Sequence, residues 1–482
     1  MNRKRFAYTL VLVVIAAALL AACAPATPTP ELLNDEFGGA TGGGDVAATE
    51  AAIAPEAPLS DGARSNVAAS PAAYPTAASA FVAGGAPVVG AVEDKAADSA
   101  EAAPGLAGGP AALPPSGGGG SVPVYSPPDQ QFQGMTAGEV DDNRDWEAYL
   151  QYRLDYHRFN GSTVHDIEVS ERHTIRVRTP GGQPVLGADV MVYDGQTLVT
   201  TLRTTATGLA YFFPLAYPQN AQAQAYSVVV QKDQATQTAT IARASQDDIV
   251  SVTLNVSPSS PPVKLDVLFL LDSTGSMDDE IDQLKNNLLS ISAQIAALPS
   301  RPSVRYGLVT YRDRGDQYVT RVADFTPDVQ DFQLSLQSVE AAGGGDIPES
   351  LNEGLHAALA NVQWRGADTV KLVFLVADAP PHLDYEQDYD YAQEIENAAS
   401  LGIKIHPIAS SGLDDQGEYV FRQIAQVTGG RFIFLTYDDQ PQTSGEPGTD
   451  LHVQEGQYSV LDLDSLVVRL IQDELAQLNA QQ

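Results

Sequence analysis

Val263-Lys-Leu-Asp-Val-Leu-Phe-Leu-Leu-Asp-Ser-Thr-Gly-Ser-Met277 is the stretch whose reading decides the fold. Residues 263–271 are rich in Val, Leu and Phe and almost without alternation, the pattern of a central parallel strand buried on both faces. Such sheets gather ligand groups at the carboxyl ends of their strands, and Asp272-Ser-Thr-Gly-Ser276 sits at that place. A carboxylate followed by hydroxyls two and four residues later can turn three oxygens inward from one loop, which suits a hard divalent cation.

The chain around this stretch alternates in the same way. Ile281, Leu284, Leu288, Ile291, Ile295 and Leu298 recur at steps of three and four, predicting a helix that lays one apolar stripe on the sheet. Strands are expected at 304–311, 319–325, 370–377, 403–409 and 431–435, and helices at 329–340, 349–362, 389–401, 419–427 and 463–478. The expected fold class is α/β, a doubly wound Rossmann-like domain over 263–480.

Two further stretches carry acidic residues in matching context: Gly343-Gly-Gly-Asp-Ile-Pro-Glu-Ser350 and Phe374-Leu-Val-Ala-Asp-Ala-Pro-Pro-His382. With Asp272-x-Thr274-x-Ser276 after the first strand, their order resembles the von Willebrand factor type A domain and its metal-ion-dependent adhesion site. The resemblance implies that Asp272, Thr274 and Ser276 supply the first metal loop, Asp346 the second and Asp378 the third. It further implies Mg²⁺, with Ca²⁺ or Mn²⁺ as other occupants, and a coordination position left for an acidic group of a protein partner. Asp346 stands where the family usually has threonine. An added anion tightens cation binding and lowers the metal's remaining positive charge. Asp313 and Glu349 are candidates for a supporting shell, and Glu349 has a second reading as a cap on the helix beginning near Pro348. His382 is the nearest candidate general base and is read instead as a rim residue. With no nucleophile elbow and no second metal cluster, the chain is expected not to be an enzyme.

At 482 residues, with 61 acidic against 27 basic side chains and a net charge of −34, several domains are expected and nucleic acid is excluded as a partner. Arg3, Lys4 and Arg5 precede an apolar run from Phe6 to Ala22 that ends at Cys23, the single cysteine. Residues 1–22 have the form of a secretory signal and resemble a bacterial lipoprotein signal, with Cys23 as the lipidated residue. A retained membrane anchor fits less well with the short span and its small-residue end. The expectation is an exported protein anchored to the membrane through lipid and facing the periplasm or the cell exterior.

Residues 23–126 are dominated by Ala, Gly, Pro and Ser, too poor in large apolar groups to offset chain entropy. They are expected to be a disordered tether with a reach of roughly 50–60 Å. A helical lead-in is expected over 127–160, with Asp141, Asp142 and Asn143 as candidate N-caps and its aromatics packing on a neighbouring domain. From 161 to 257 the period becomes two, with short runs at 174–178, 189–193, 198–202, 210–213, 226–230 and 250–254 separated by turn residues. Pro184-Val-Leu-Gly-Ala-Asp-Val-Met-Val192 with Thr205-Ala-Thr-Gly-Leu-Ala-Tyr-Phe-Phe213 resembles the immunoglobulin-like or carboxypeptidase-regulatory-like sandwiches of bacterial surface proteins. The whole reads as a surface protein engaging a protein ligand at a metal face, or as an envelope spacer in which the cation only stabilises the fold.

Overall fold

The computed structural model describes residues 135–479 apart from 161–163, 244–247, 438–445, 448–450, 454–457 and 459. The signal, Cys23 and the tether expected over 1–126 lie outside the described residues. The first elements are strand β1 (Thr136–Val140) and helix α1 (Trp146–Phe159). The expected lead-in is therefore more than a helix, because β1 is a full member of the main sheet.

Seven strands follow: β2 (His173–Arg178), β3 (Asp189–Asp194), β4 (Thr197–Arg203), β5 (Leu209–Phe212), β6 (Ala225–Lys232), β7 (Ala235–Ala242) and β8 (Asp248–Thr253). They form two sheets, ordered β5-β2-β8 and β4-β3-β6-β7. Alternate residues Val190 and Val192 of β3, Val228 and Val230 of β6 and Ile175 and Val177 of β2 turn inward to one shared core. Sequence reasoning missed β7, Ala-Thr-Gln-Thr-Ala-Thr-Ile-Ala, because its residues are mostly exposed and its only large apolar inward group is Ile241.

The remaining elements are β9 (Lys264–Asp272), α2 (Asp278–Ala296), β10 (Ser303–Tyr311), β11 (Thr320–Thr326), α3 (Val329–Gln337), α4 (Leu351–Ala360) and β12 (Thr369–Ala377). After them come α5 (Tyr391–Leu401), β13 (Ile403–Ala409), α6 (Asp415–Thr428), β14 (Phe432–Tyr437), β15 (Glu446–Pro447), β16 (Leu461–Asp462) and α7 (Leu463–Asn479). Among the described residues nine strands make one sheet in the order β11-β10-β9-β12-β13-β14-β1-β16, with β15 paired to β14. Strands β10, β9, β12, β13 and β14 run parallel, and the antiparallel partners lie toward the edges. The fold is thus α/β around a sheet rich in parallel pairs.

Strand β9 shows why both faces are covered. Leu265, Val267, Phe269 and Leu271 point into a core with α2, α3 and α7, while Leu268 and Leu270 point into the opposite core with α4, α5 and α6. Because β9 leads to β10 on one side while β12 lies on its other side, the strand order reverses between β9 and β12. The crevice outside the carboxyl ends of those two strands is the place where open α/β sheets bind ligands.

Candidate metal centre at the strand ends

Asp272 ends β9 and is fully buried, paired in register with Tyr311 at the end of β10. Its Oδ1 accepts hydrogen bonds from the Thr274 backbone N–H at 2.9 Å and from the Thr274 hydroxyl at 2.7 Å. The Thr274 and Ser276 hydroxyls stand 3.3 Å apart. The loop is stitched to its neighbours through the backbone: Ser273 N–H donates to Tyr311 O, Ala342 N–H to Ser273 O and Gly275 N–H to Gly343 O. Arg312 adds a guanidinium clamp, donating to Ser273 O at 3.0 Å and Glu340 O at 2.6 Å.

Asp378 follows β12 directly. Glu349 is brought in by a bridge between its backbone and Pro381, and by the His382 N–H, which donates to Glu349 O at 3.1 Å. It does not cap a helix: α4 starts at Leu351, after Ser350. One oxygen of each of these three carboxylates, Asp272 Oδ2, Asp378 Oδ1 and Glu349 Oε2, is buried without a hydrogen-bond partner.

The electrostatic consequence is strong. Burial, then the Asp378 charge, pushes the Asp272 carboxyl up to about 7. Burial followed by the charges of Asp272, Asp313, Asp316 and Asp378 pushes Glu349 up to about 9. Burial raises Asp378 as well, against the hydrogen bond from Ser276. Crowded carboxylates with orphaned oxygens fit a divalent cation, which would satisfy the lone pairs and neutralise the repulsion at once.

The glycine loop makes close approach possible. Gly344 has φ +72°, and a Cβ there would lie 2.7 Å from Glu349 Oε1 and 3.3 Å from Thr274 Cβ. Asp316, which sequence reasoning passed over, pins this loop by accepting from Gly344 N–H at 2.9 Å. Asp346, expected to supply the second metal loop, is exposed, and its carboxylate gathers with Asp313 and the His382 ring, ligand atoms all within 4.8 Å. The expected residues thus divide, with Asp272, Thr274, Ser276, Asp378 and Glu349 around one point and Asp346 and Asp313 around another. His382 belongs to the second group. The signal available for it was its position four residues after Asp378.

Residues 266–437 match the family model described as von Willebrand factor A domain. Similar curated proteins include the alpha-protein kinase vwkA of Dictyostelium discoideum, 27% identical over 172 residues, covering 35% of this chain and 27% of that protein. Human von Willebrand factor A domain-containing protein 7 is 33% identical over 128 residues, covering 27% of this chain and 13% of its own. Human hemicentin-1 is 27% identical over 170 residues, 35% of this chain and 3% of its own. The chain therefore spans only a minor part of each. Among solved structures, the pilus adhesin SpaC from Lactobacillus rhamnosus GG aligns with 43% of this chain and 30% of its own at 11% identity and a TM-score of 0.29.

Proposed function

We propose that the von Willebrand factor A domain of this chain binds Mg²⁺, or Ca²⁺ or Mn²⁺ in its place, and uses the metal face to hold a protein partner. The observation that carries this reading is the set of buried, unpartnered oxygens on Asp272, Asp378 and Glu349. Asp272, Thr274, Ser276 and Asp378 would hold the ion, with Glu349 supporting them. The ion supplies a positive centre at the strand ends. Thr274 and Ser276 add oxygen donors without charge, and the exposure of Ser276 leaves one side open to a partner's carboxylate. The work is recognition and not catalysis. Cys23 as a lipid anchor and 23–126 as a tether would present the folded part away from a membrane, outside the cytoplasm. Among the described residues no helix is long and apolar enough to cross a membrane.

Calorimetric titration of Mg²⁺ into the full chain tests the site. Saturable binding is expected, and Asp272→Asn should abolish it while leaving the fold intact. Ligand at about 100 times its Kd adds about 2.7 kcal/mol of stability, so the wild type should melt higher in Mg²⁺. The variant should show no such rise, yet in chelator it should melt at or above the wild type because a crowded buried charge is gone. Partner capture that persists in chelator would sink the metal-dependent reading.

A second reading makes the ion a fold stabiliser and the chain a surface spacer. The complete burial of Asp272 and Thr274 favours it. It predicts the same rise in melting temperature with no change in partner capture.

A further inference from the structure

We propose that Asp313, Asp346 and His382 form a second cation site, distinct from the one around Asp272, which takes a borderline transition-metal ion of the Zn²⁺ class. The three side chains come from different loops: Asp313 follows β10, Asp346 sits on the glycine loop, and His382 follows β12. Their ligand atoms lie within 4.8 Å of one another.

An acidic pair alone would be weak ground, and the imidazole is what points to a metal. His382 is 3% exposed, and its Nε2 is buried without a hydrogen-bond partner. That nitrogen lies 3.5 Å from Asp313 Oδ1. Two ligands on a tetrahedral ion with bonds of about 2.0–2.2 Å stand roughly 3.3–3.6 Å apart, so this edge already has the required length. On the other side of the ring, Nδ1 lies 2.7 Å from Asp384 Oδ1. A carboxylate accepting from Nδ1–H fixes the tautomer that turns the Nε2 lone pair inward, the arrangement that supports a metal-bound histidine. The ring is held further by Tyr385, stacked at 3.9 Å between centroids and 15° between planes.

Asp313 is held just as firmly. Its Oδ1 accepts from the Ser350 hydroxyl at 2.9 Å, and both its oxygens lie 3.0 Å from the Tyr385 hydroxyl. With the single Tyr385 hydroxyl hydrogen directed to Oδ2, each carboxylate oxygen keeps a further lone pair to offer. Asp346 is exposed, so the site is open to solvent on its side, with room for water or a partner's ligand in the remaining position. Nitrogen with two carboxylate oxygens suits Zn²⁺ or another late divalent ion better than Mg²⁺, which prefers oxygen alone.

The test is Zn²⁺ competition against a chromophoric chelator, using the full chain in saturating Mg²⁺. One Zn²⁺ is expected to bind the wild type, and His382→Ala should remove it while Mg²⁺ binding stays. Asp384→Asn, a change at a side chain 76% exposed, should weaken Zn²⁺ binding by about 10–100-fold without disturbing the fold. Asp272→Asn should remove the Mg²⁺ response and leave Zn²⁺ binding in place, so the two sites fail independently. Replacing Zn²⁺ by Co²⁺ should give visible absorption bands that the His382 variant lacks. No Zn²⁺ binding by the wild type overturns the proposal, as does Zn²⁺ binding that survives both His382→Ala and Asp384→Asn or that disappears with Asp272→Asn alone.

Discussion

His406 is a buried titratable group away from the metal loops. It lies in β13, stacked on Phe374 at 5.2 Å, and its Nδ1 accepts the Arg431 backbone N–H at 3.1 Å. Burial, reinforced by the Lys404 and Arg431 charges, holds the imidazole well below its ordinary value. The folded protein therefore keeps His406 neutral where the unfolded chain takes up a proton, below about pH 6.5. Since the unfolded state then binds more protons, stability is unaffected above that pH and falls as the pH drops beneath it. Between pH 7 and pH 5 the loss should reach up to roughly 2 kcal/mol. His406→Asn, whose amide oxygen can accept the same N–H, should flatten that part of the profile in urea unfolding at a series of pH values. The same scale shows what sequence can disclose. Asp272 and Asp378 are legible because each ends a strand with no polar alternation, so the turn into the loop has one possible place. Asp346 and His382 were harder, since their partners come from loops whose course depends on positive-φ glycines and on Asp316. No local pattern encodes that course.

At the scale of elements, β1 and α1 depart furthest from the sequence reading. Thr136-Ala-Gly-Glu-Val140 has no apolar run, yet it pairs antiparallel with β14 because that edge offers unpaired backbone groups. The acidic residues expected to cap α1 do other work: Asp145 takes the N-cap position without a side-chain bond. Asp142 is buried and forms a two-pronged pair with Arg422 of α6, at 2.6 and 3.0 Å. Asn143 donates to Gln426 O, and Asp141 pairs with Arg431. The aromatics of α1 complete the dock, with Tyr156 stacked on Tyr419 at 4.1 Å and the Arg422 guanidinium 3.9 Å over Tyr152. Asp142→Ala would leave the buried Arg422 charge with Glu418 as its remaining carboxylate partner, so a loss of about 3–5 kcal/mol is expected in chemical denaturation. Replacing both Asp142 and Arg422 by apolar residues should recover part of that loss, because the unpaired guanidinium is gone and Glu418 keeps the His452 N–H and ring as partners.

Across the described molecule the sandwich and the sheet domain touch at glycines that let the other part come close. Gly187, in the turn before β3, has φ +69°, and a Cβ there would fall 1.8 Å from the Ala367 carbonyl oxygen of the loop before β12. Gly402 and Gly429 end α5 and α6 in the left-handed conformation and receive Arg203 and Tyr211 of the sandwich, with a Cβ meeting them at 3.2 and 3.1 Å. The glycines thus terminate helices and admit the neighbouring domain with the same feature. Packing of this kind should couple the two parts in unfolding, and the wild type is expected to melt in one transition over the folded region. Gly187→Val tests the coupling. It adds left-handed strain of about 1–2 kcal/mol and a clash that the Ala367 backbone can relieve only by moving away. Leu186 and Ala206 of the sandwich join the core around β9, but most of each core comes from its own segment, so each should survive the parting. Calorimetry of the variant should therefore show two transitions, of which the proposed Mg²⁺ site should raise one alone. A single transition shifted uniformly downward would mean that the strain stays within the sandwich and that the contact at Ala367 does not join the two parts.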